Sequence, residues 1–150
     1  NSENICRRNQ IRNELLPFLE KQYNPKIKEA LSRAAENLRD DYDLLRGALF
    51  ETYAAQNLAA LLEAHLPEAQ MGYWHEQGRH EVDFVIEAGR KVFGIEVKAA
   101  TRWSESDLSG LRAFLERTPA CVAAVLAYNG KESMKLDKRL YAIPMGKLLE

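Results

Sequence analysis

Residues 81–98 read EVDFVIEAGRKVFGIEVK, which is two runs of alternating apolar and polar residues around a short turn. Alternation with a period of two is typical of β-strands that bury one face. Gly89 and Arg90 suit a two-residue hairpin loop with glycine at its first central position. The segment therefore predicts antiparallel strands at 81–87 and 92–98, in which Ala88 faces Lys91; a four-residue loop, 88–91, keeps the same register.

This register separates the side chains of the hairpin into two faces. The apolar face, which we expect to lie in the core, carries Val82, Phe84, Ile86, Phe93, Ile95 and Val97. The polar face carries Glu81, Asp83, Glu96 and Lys98. Cβ atoms of directly opposed residues lie about 5 Å apart, so Asp83 and Glu96 are predicted to be neighbours, with Lys98 one step along the same face.

The two neighbouring carboxylates predict a cation site. Like charges raise the pKa of one carboxyl group unless a cation neutralises the pair. Oxygen ligands of this kind suit Mg²⁺ or Mn²⁺, which bind one or two carboxylates together with waters and phosphate oxygens. Lys98 could position or deprotonate an attacking water, or stabilise the negative charge that develops on a phosphate. The alternative is an exposed sheet face with weak surface ion pairs, and the hairpin alone does not decide between the two.

The helix predicted over residues 44–65 adds a third carboxylate. At 100° per residue, its apolar stripe contains Leu44, Ala48, Ala55, Leu58, Ala59 and Leu62. Glu51 lies within that stripe, where an unpaired carboxylate costs several kcal/mol. Either a buried Lys or Arg satisfies Glu51, or Glu51 joins a metal site.

The other elements predict an α/β fold. A helix is predicted over 11–23, and Pro17 should start it late or kink it. Asn24 and Pro25 are typical of a helix start and predict a second helix that runs to Arg39. Strands are predicted at 71–76, 120–128 and 140–143. A helix capped by Ser104, with Asp107 three residues on as a weaker form of the capping box, connects 92–98 to 120–128, which makes these strands parallel neighbours.

The loops after the parallel strands contain residues of interest. Arg102 and Trp103 directly follow strand 92–98, so they would lie at the mouth of any site there, although packing is the more common role of such a tryptophan. A modest basic cluster comprises Lys131, Lys135, Lys138 and Arg139. Such clusters are usually solvated, but they are also where phosphate contacts arise.

Composition excludes several classes of protein. The chain has 150 residues, 46% of them hydrophobic, and its 21 Lys plus Arg against 22 Asp plus Glu give a net charge of −1, which excludes a polycationic nucleic-acid wrap and an acidic tail. Cys6 and Cys121 are too few for a disulfide scaffold or a zinc cluster. No apolar run reaches 18 residues, so we expect a cytoplasmic protein without a membrane partner.

Three motifs together resemble a known family. RGALFETYAAQNL (46–58), EVDFVI (81–86) and GIEVKA (94–99) are similar to the PD-(D/E)XK restriction-endonuclease-like superfamily. More narrowly, they resemble the domain at the C-terminus of a group of prokaryotic AAA-type ATPases. The resemblance implies a restriction-endonuclease-like mixed sheet with an α-β-β-β-α-β core in residues 44–150. Residues 1–43 would then be a helical N-terminal extension.

The resemblance also implies roles for individual residues. Asp83 and Glu96 would bind Mg²⁺ or Mn²⁺, the carbonyl of Val97 would complete the site, Lys98 would be the catalytic lysine, and Glu51 would be the accessory helix carboxylate. The superfamily hydrolyses DNA phosphodiesters with an attacking water. Two positions depart from the family pattern: Val82 replaces the proline of the PD pair, and His75 stands where relatives often have arginine.

Two functions follow from these expectations. The first is a metal-dependent nuclease-like domain that acts on or binds DNA. Its partner would be an ATPase module of the same full-length protein. The second is a catalytically inactive binding or assembly module of a multidomain ATPase, which keeps the site residues as a structural ion-pair network. The near-zero net charge favours the second function, because tight DNA binding needs a concentration of basic residues.

Overall fold

The computed structural model describes residues 7–150, so Cys6 lies outside the described residues. The described residues divide into two compact units, with the boundary between Leu45 and Arg46. In the first unit, a π-helical turn at Ile11–Leu15 leads into helix α1 (Leu16–Gln22). Pro17 lies in the first turn of α1, which agrees with the expectation that it starts or kinks a helix.

Helix α2 (Ile27–His65) is one continuous helix, so the prediction of separate helices over 24–39 and 44–65 was wrong. Asn24 Oδ1 accepts a hydrogen bond from the backbone N–H of Lys26 at 2.9 Å in the turn before the helix. The first helical residue is Ile27, so the helix starts later than the predicted Pro25. Residues 40–43 contain three aspartates but no glycine or proline. Each aspartate costs less than about 0.7 kcal/mol in a helix, which is too little to interrupt it.

The buried face of α2 also differs from the predicted stripe. Ala54 and Leu58 are the buried residues of this helix, whereas Leu44 is 76% exposed and Glu51 is exposed. Apolar residues occur around much of the circumference of the helix, so periodicity alone did not select the arc that packs against the sheet. Glu51 is therefore not a core carboxylate, and it needs no buried Lys or Arg.

A six-stranded mixed sheet with the order β1-β2-β3-β4-β6-β5 forms the centre of the second unit. Its strands are β1 (Gln70–Glu76), β2 (His80–Ala88), β3 (Lys91–Lys98), β4 (Cys121–Tyr128), β5 (Met134–Lys135) and β6 (Leu140–Pro144). Strands β3, β4 and β6 are parallel, and the remaining neighbours are antiparallel. The five predicted strands are confirmed, and the two-residue β5 was not predicted.

The predicted hairpin register is confirmed from the turn as far as Phe84, which pairs with Ile95. Ala88 pairs with Lys91, and Gly89 has a φ of +62°. Among the described residues, no residue other than glycine has a positive φ, so Arg90 does not share this conformation. This is the pattern of a turn with glycine at the first central position.

Val82 does not share a face with Phe84, contrary to the prediction. Between β1 and β2, Gly72 pairs with Val85 but Trp74 pairs with Val82, so two steps along β1 oppose three along β2. The extra residue is a β-bulge, which reverses the alternation of side chains on its far side. Val82 accordingly packs with Val85 in one core cluster, while Phe84 packs against the other.

Both faces of the sheet are covered. One cluster comprises Ala54, Leu58, Ile86, Ile95, Val125, Ala127 and Met145, so it joins α2 and the short helix α4 (Met145–Leu148) to the sheet. The opposite cluster includes Leu108, Leu111 and Phe114. These residues belong to a 3₁₀ turn, Glu105–Leu108, and to helix α3 (Ser109–Arg117), which form the predicted crossover. Cys121 is a free, buried thiol.

Gly110 sets how closely α3 approaches β2. A Cβ atom at position 110 would lie 2.2 Å from the backbone oxygen of Glu81, closer than real atoms approach. Any larger residue would therefore push the helix away from the strand that carries Asp83. Within the part of the chain that the structure describes, no helix is long and apolar enough to cross a membrane.

Candidate metal and phosphodiester site

Asp83 lies where the β2–β3 ladder ends. The last paired residues on that side are Phe84 and Ile95, and beyond them the side chain of Asp83 replaces a backbone acceptor. Its Oδ2 accepts a 2.7 Å hydrogen bond from the backbone N–H of Val97. The bond ties the aspartate to β3 and holds it next to the strand that carries Glu96.

Burial and charge raise the pKa of Asp83 to about 6. Burial is the largest cause; the hydrogen bond from Val97 opposes it, and the charges of Glu51 and Glu81 add to it. An aspartate that ionises near pH 6 is a carboxylate at neutral pH that lacks full compensation for its charge.

Glu96 is shifted further, with a pKa raised to about 8. Burial is again the largest cause, followed by the charges of Asp83 and Glu81. Its Oε2 is buried and has no hydrogen-bond partner among the described residues. A buried oxygen without a partner costs free energy, so this atom either carries a proton or binds a ligand that the protein itself does not supply.

This pair fits a hard divalent cation. Within residues 7–150, no three His, Cys, Asp or Glu side chains form a group that could hold a metal ion by themselves. Mg²⁺ does not need such a group, because it commonly takes one or two carboxylates and fills its other positions with water and phosphate oxygens. Asp83 and Glu96 are two oxygen donors of the required kind, and Oε2 of Glu96 has no hydrogen-bond partner among the described residues that a cation would have to displace.

Lys98 forms a salt bridge with Asp107, in the 3₁₀ turn that leads into α3. Asp107 also accepts hydrogen bonds from the backbone N–H of Ser104 at 2.7 Å and from its hydroxyl at 2.9 Å, which confirms the predicted capping box. Burial acts to raise the pKa of Asp107, but the hydrogen bonds from Lys98 and Ser104 outweigh it and lower the pKa. Lys98 therefore lies on the same strand as Glu96, two residues further on, but its ammonium group pairs with Asp107.

Glu51 and Asp83 line the same open cavity of about 430 Å³. The cavity is lined by Glu51, Thr52, Ala55, Tyr73, Trp74, His75, Glu81, Val82, Asp83 and Phe84. The charge of Glu51 contributes to the raised pKa values of both Asp83 and Glu96. The charge of Glu51 thus acts on both predicted metal ligands, Asp83 and Glu96.

Val97 contributes differently from the expectation that its carbonyl completes a metal site. The interaction that the structure shows is made by its backbone N–H, which donates to Asp83. Its side chain packs against the core cluster that contains Ile95. Val97 therefore orients one of the two carboxylates, while a role for its carbonyl stays a prediction.

Sequence reasoning underestimated two residues of the site. Glu81 raises the pKa of both Asp83 and Glu96, and its position two residues before Asp83 was the available signal. Asp107 was recognised as a helix cap, but its contact with Lys98 joins residues on two different elements. No local pattern indicates such a contact.

Comparison with known proteins places the whole site within one family. The family described as "Domain of unknown function (DUF4143)" matches residues 46–148, more than half of the chain. The chain belongs to the DUF4143 family. The part of this DUF4143 chain that matches contains Glu51, Asp83, Glu96, Val97 and Lys98.

Two individual proteins are similar to parts of the DUF4143 chain. The tRNA(Ile)-lysidine synthase of Thermosynechococcus vestitus is 38% identical over 61 residues, which are 41% of this chain and 16% of that protein. A chain in a structure of Thermococcus gammatolerans McrB AAA+ hexamers with bound McrC aligns with a TM-score of 0.46 at 16% identity, covering 65% of this chain and 27% of that one. This DUF4143 chain thus spans a small part of the length of either protein.

Proposed function

We propose that residues 46–150 form a restriction-endonuclease-like nuclease domain that hydrolyses DNA phosphodiesters with Mg²⁺ or Mn²⁺. The proposal rests on one observation above all: Glu96 has a buried, partnerless Oε2 beside Asp83, and both carboxyl groups have raised pKa values. A divalent cation would compensate both charges. The sequence resemblance of the three motifs to the PD-(D/E)XK superfamily supports the same conclusion.

In this proposal Asp83 and Glu96 hold the cation. The bound metal would supply Lewis-acid polarisation of a phosphate oxygen and a lowered pKa for water. Val97 orients Asp83 through the 2.7 Å hydrogen bond from its backbone N–H. Glu51 lines the same cavity as Asp83, and in this proposal its carboxylate accepts a proton from the attacking water.

Lys98 stabilises the charge that develops on the phosphate. Its salt bridge with Asp107 joins two partly exposed groups, and such pairs are worth about 0–1 kcal/mol. A phosphate oxygen can therefore compete with Asp107 for the ammonium group. In the hydrolysis, the water oxygen forms a bond to phosphorus, the bond from phosphorus to the leaving sugar oxygen breaks, and that oxygen takes up a proton.

The narrower resemblance assigns the domain to a larger ATPase. We propose that an AAA-type ATPase module of the same protein acts together with this domain on DNA in the cytoplasm. The chain has a net charge of −1, which favours a second module that helps to hold the DNA.

A nuclease assay with matched variants tests the proposal. We expect the full chain to cleave DNA in the presence of Mn²⁺ and Mg²⁺ but not in excess chelator. Asp83→Asn should abolish cleavage, since it removes a metal ligand while keeping nearly the same size. Glu87→Gln, an exposed carboxylate on the same strand, is the control and should cleave like the unchanged protein. Equal activity in Asp83→Asn would contradict the proposal.

The second candidate function is a catalytically inactive binding or assembly module. One observation favours it: Lys98 pairs with Asp107 and not with the acidic pair. In such a module Glu96 would keep a proton and need no cation. Millimolar Mg²⁺ or Mn²⁺ separates the two functions, because a true metal site is stabilised by mass action and the melting temperature rises, whereas a protonated pair is unaffected.

A further inference from the structure

A second cavity, of about 720 Å³, opens beyond the carboxyl ends of the parallel strands β3 and β4. Ligands in α/β proteins commonly bind outside the carboxyl ends of parallel strands. The cavity is lined by Thr101, Arg102, Trp103, Tyr128, Asn129, Gly130, Lys131, Glu132 and Met134. None of the residues proposed to bind metal lines it, and the first of its lining residues lies three positions after Lys98.

The floor of this cavity is held in place by short contacts. The backbone N–H of Asn129 donates to the carbonyls of Lys98 (3.2 Å) and Ala100 (3.1 Å), which joins the loop after β4 to the loop after β3. The buried Tyr128 donates through its hydroxyl to the carbonyl of Glu132 at 2.7 Å. A preorganised pocket loses less entropy when a ligand binds than a mobile one does.

Gly130 allows the Tyr128 ring to lie against the backbone. A Cβ atom at position 130 would lie 2.0 Å from the ring, so only glycine permits this arrangement. The loop therefore turns tightly over the aromatic ring and directs Lys131 to the exposed rim of the cavity.

The lining combines cations with an aromatic surface. Arg102 and Lys131 are exposed, and neither has an ion-pair partner within the described part of the chain. Trp103 is half-buried, and it packs against the core cluster while also lining the cavity. Glu132 is the one acidic residue among the lining residues, so Arg102 and Lys131 leave the rim with a net positive charge.

We infer that this cavity binds one unstacked nucleotide of single-stranded DNA, with its base on Trp103 and its phosphates on Arg102 and Lys131. Stacking on an aromatic ring combined with basic contacts to the backbone is the usual chemistry of single-strand binding. The volume lies in the range of roughly 300–1,000 Å³ that is typical of small-molecule pockets. The cavity begins directly after the strand that carries Glu96 and Lys98, so a nucleotide bound there would belong to the strand that the proposed nuclease cleaves. In this respect the inference rests on the proposed function.

Binding without metal tests the cavity separately from hydrolysis. Anisotropy of a fluorescein-labelled oligothymidylate is measured with the full chain in excess chelator at low salt. We expect Arg102→Ala/Lys131→Ala to weaken binding about tenfold and to reduce the slope of log K against log salt by about 1.4, the value for two lost single-strand phosphate contacts. Glu132→Gln should tighten binding, because it removes the single negative charge from the rim.

The control variant is Arg90→Ala/Lys91→Ala, which removes two exposed cations from the hairpin turn. These residues lie about 23 Å from the carboxyl end of β3, at 3.3 Å per residue. We expect its affinity to equal that of the unchanged chain. If both double variants weaken binding equally, the contact is a diffuse charge effect and the inference is overturned.

Tryptophan fluorescence identifies the stacking residue. The oligonucleotide should quench emission in the unchanged chain, and Trp103→Phe should remove the quenching while keeping an aromatic ring for binding. The inference would be overturned if the oligonucleotide did not bind measurably, or if a DNA duplex bound and quenched equally well. Tighter binding of RNA of the same sequence would also overturn it. If the single-strand binding is as expected and no condition gives cleavage, the proposed nuclease function fails while the nucleotide site stands.

Discussion

Asp83 and Val97 are joined by a 2.7 Å hydrogen bond from the backbone N–H of Val97 to Oδ2 of Asp83. The bond lies where the β2–β3 ladder ends and where a bulge in β2 changes the direction of its side chains. One carboxylate of the proposed metal site is therefore oriented by the neighbouring strand. Asp83 keeps its place next to Glu96 although the regular strand pairing has stopped.

The stability of the protein should fall as pH rises from about 4 to about 8. The folded protein holds protons on Asp83 (pKa about 6) and Glu96 (pKa about 8) that the unfolded chain has already released. When the folded state binds more protons than the unfolded state, the free energy of unfolding decreases with pH. Urea unfolding between pH 4 and pH 9, without divalent metal, measures this slope.

Glu96→Gln should flatten the upper part of this pH dependence. At pH 9 the variant should be more stable than the unchanged protein by at least about 1 kcal/mol, a value that allows for solvent screening of a partly buried group. Near pH 4, where Glu96 is protonated in both states, the two proteins should be equally stable. If the stability of the variant fell with pH as steeply as that of the unchanged protein, Glu96 would not be the group whose ionisation destabilises the fold.

Divalent metal should stabilise the protein more at high pH than at low pH. The cation competes with a proton for Glu96, so Mg²⁺ or Mn²⁺ at a fixed millimolar concentration should raise the melting temperature strongly at pH 8 and weakly at pH 6. Asp83→Asn and Glu96→Gln should lose the effect. An equal rise in both variants would place the bound metal elsewhere on the protein.

Asp107→Asn should destabilise the protein by about 1 kcal/mol at pH 7, because it weakens the cap on the turn before α3 and removes the partner of Lys98. A carboxyl group with a lowered pKa contributes stability above its unfolded pKa, and this contribution is lost as pH falls through the folded pKa. The difference should therefore disappear in acid. Lys98→Met keeps the cap and should cost less, about 0–1 kcal/mol; an equal or larger loss would show that the salt bridge outweighs the cap.

Gly110→Ala and Gly47→Ala should change stability in opposite directions. The new Cβ at 110 would lie 2.2 Å from the backbone of Glu81, so α3 must shift and the free energy of unfolding should fall by about 2 kcal/mol or more. Around Gly47, in α2, no atom lies within 4 Å of the added Cβ, so alanine should stabilise the helix by about 0.5–1 kcal/mol. Chemical denaturation compares both variants, and a neutral Gly110→Ala would contradict the close approach.

Local chemistry explains which parts of the structure were predictable. The turn at Gly89 and the alternation on either side determine the hairpin register, and Ser104 and Asp107 determine the start of the crossover helix. The face of Val82 depends on an extra residue in β2 that only its pairing with β1 reveals. The residue that binds Lys98 depends on how α3 lies against the sheet.

The environment of the candidate site was predictable only in part. The hairpin register predicted that Asp83 and Glu96 are neighbours, and the charge of Asp83 does raise the pKa of Glu96, although the ladder ends one pair before them. The exposure of Glu51 was not predictable, because α2 presents apolar residues on several sides and the sheet selects one of them. Tertiary packing, and not periodicity, determined its surroundings.

Calorimetric titration with Mn²⁺ at pH 7 tests the metal site most directly. At this pH Asp83 is largely ionised and Glu96 largely protonated, so binding should release about one proton, measured from the heat in buffers of different ionisation enthalpy. We predict saturable binding of a single ion per chain that is lost in Asp83→Asn/Glu96→Gln. No saturable heat in the unchanged protein, or unchanged binding in the double variant, would contradict the account.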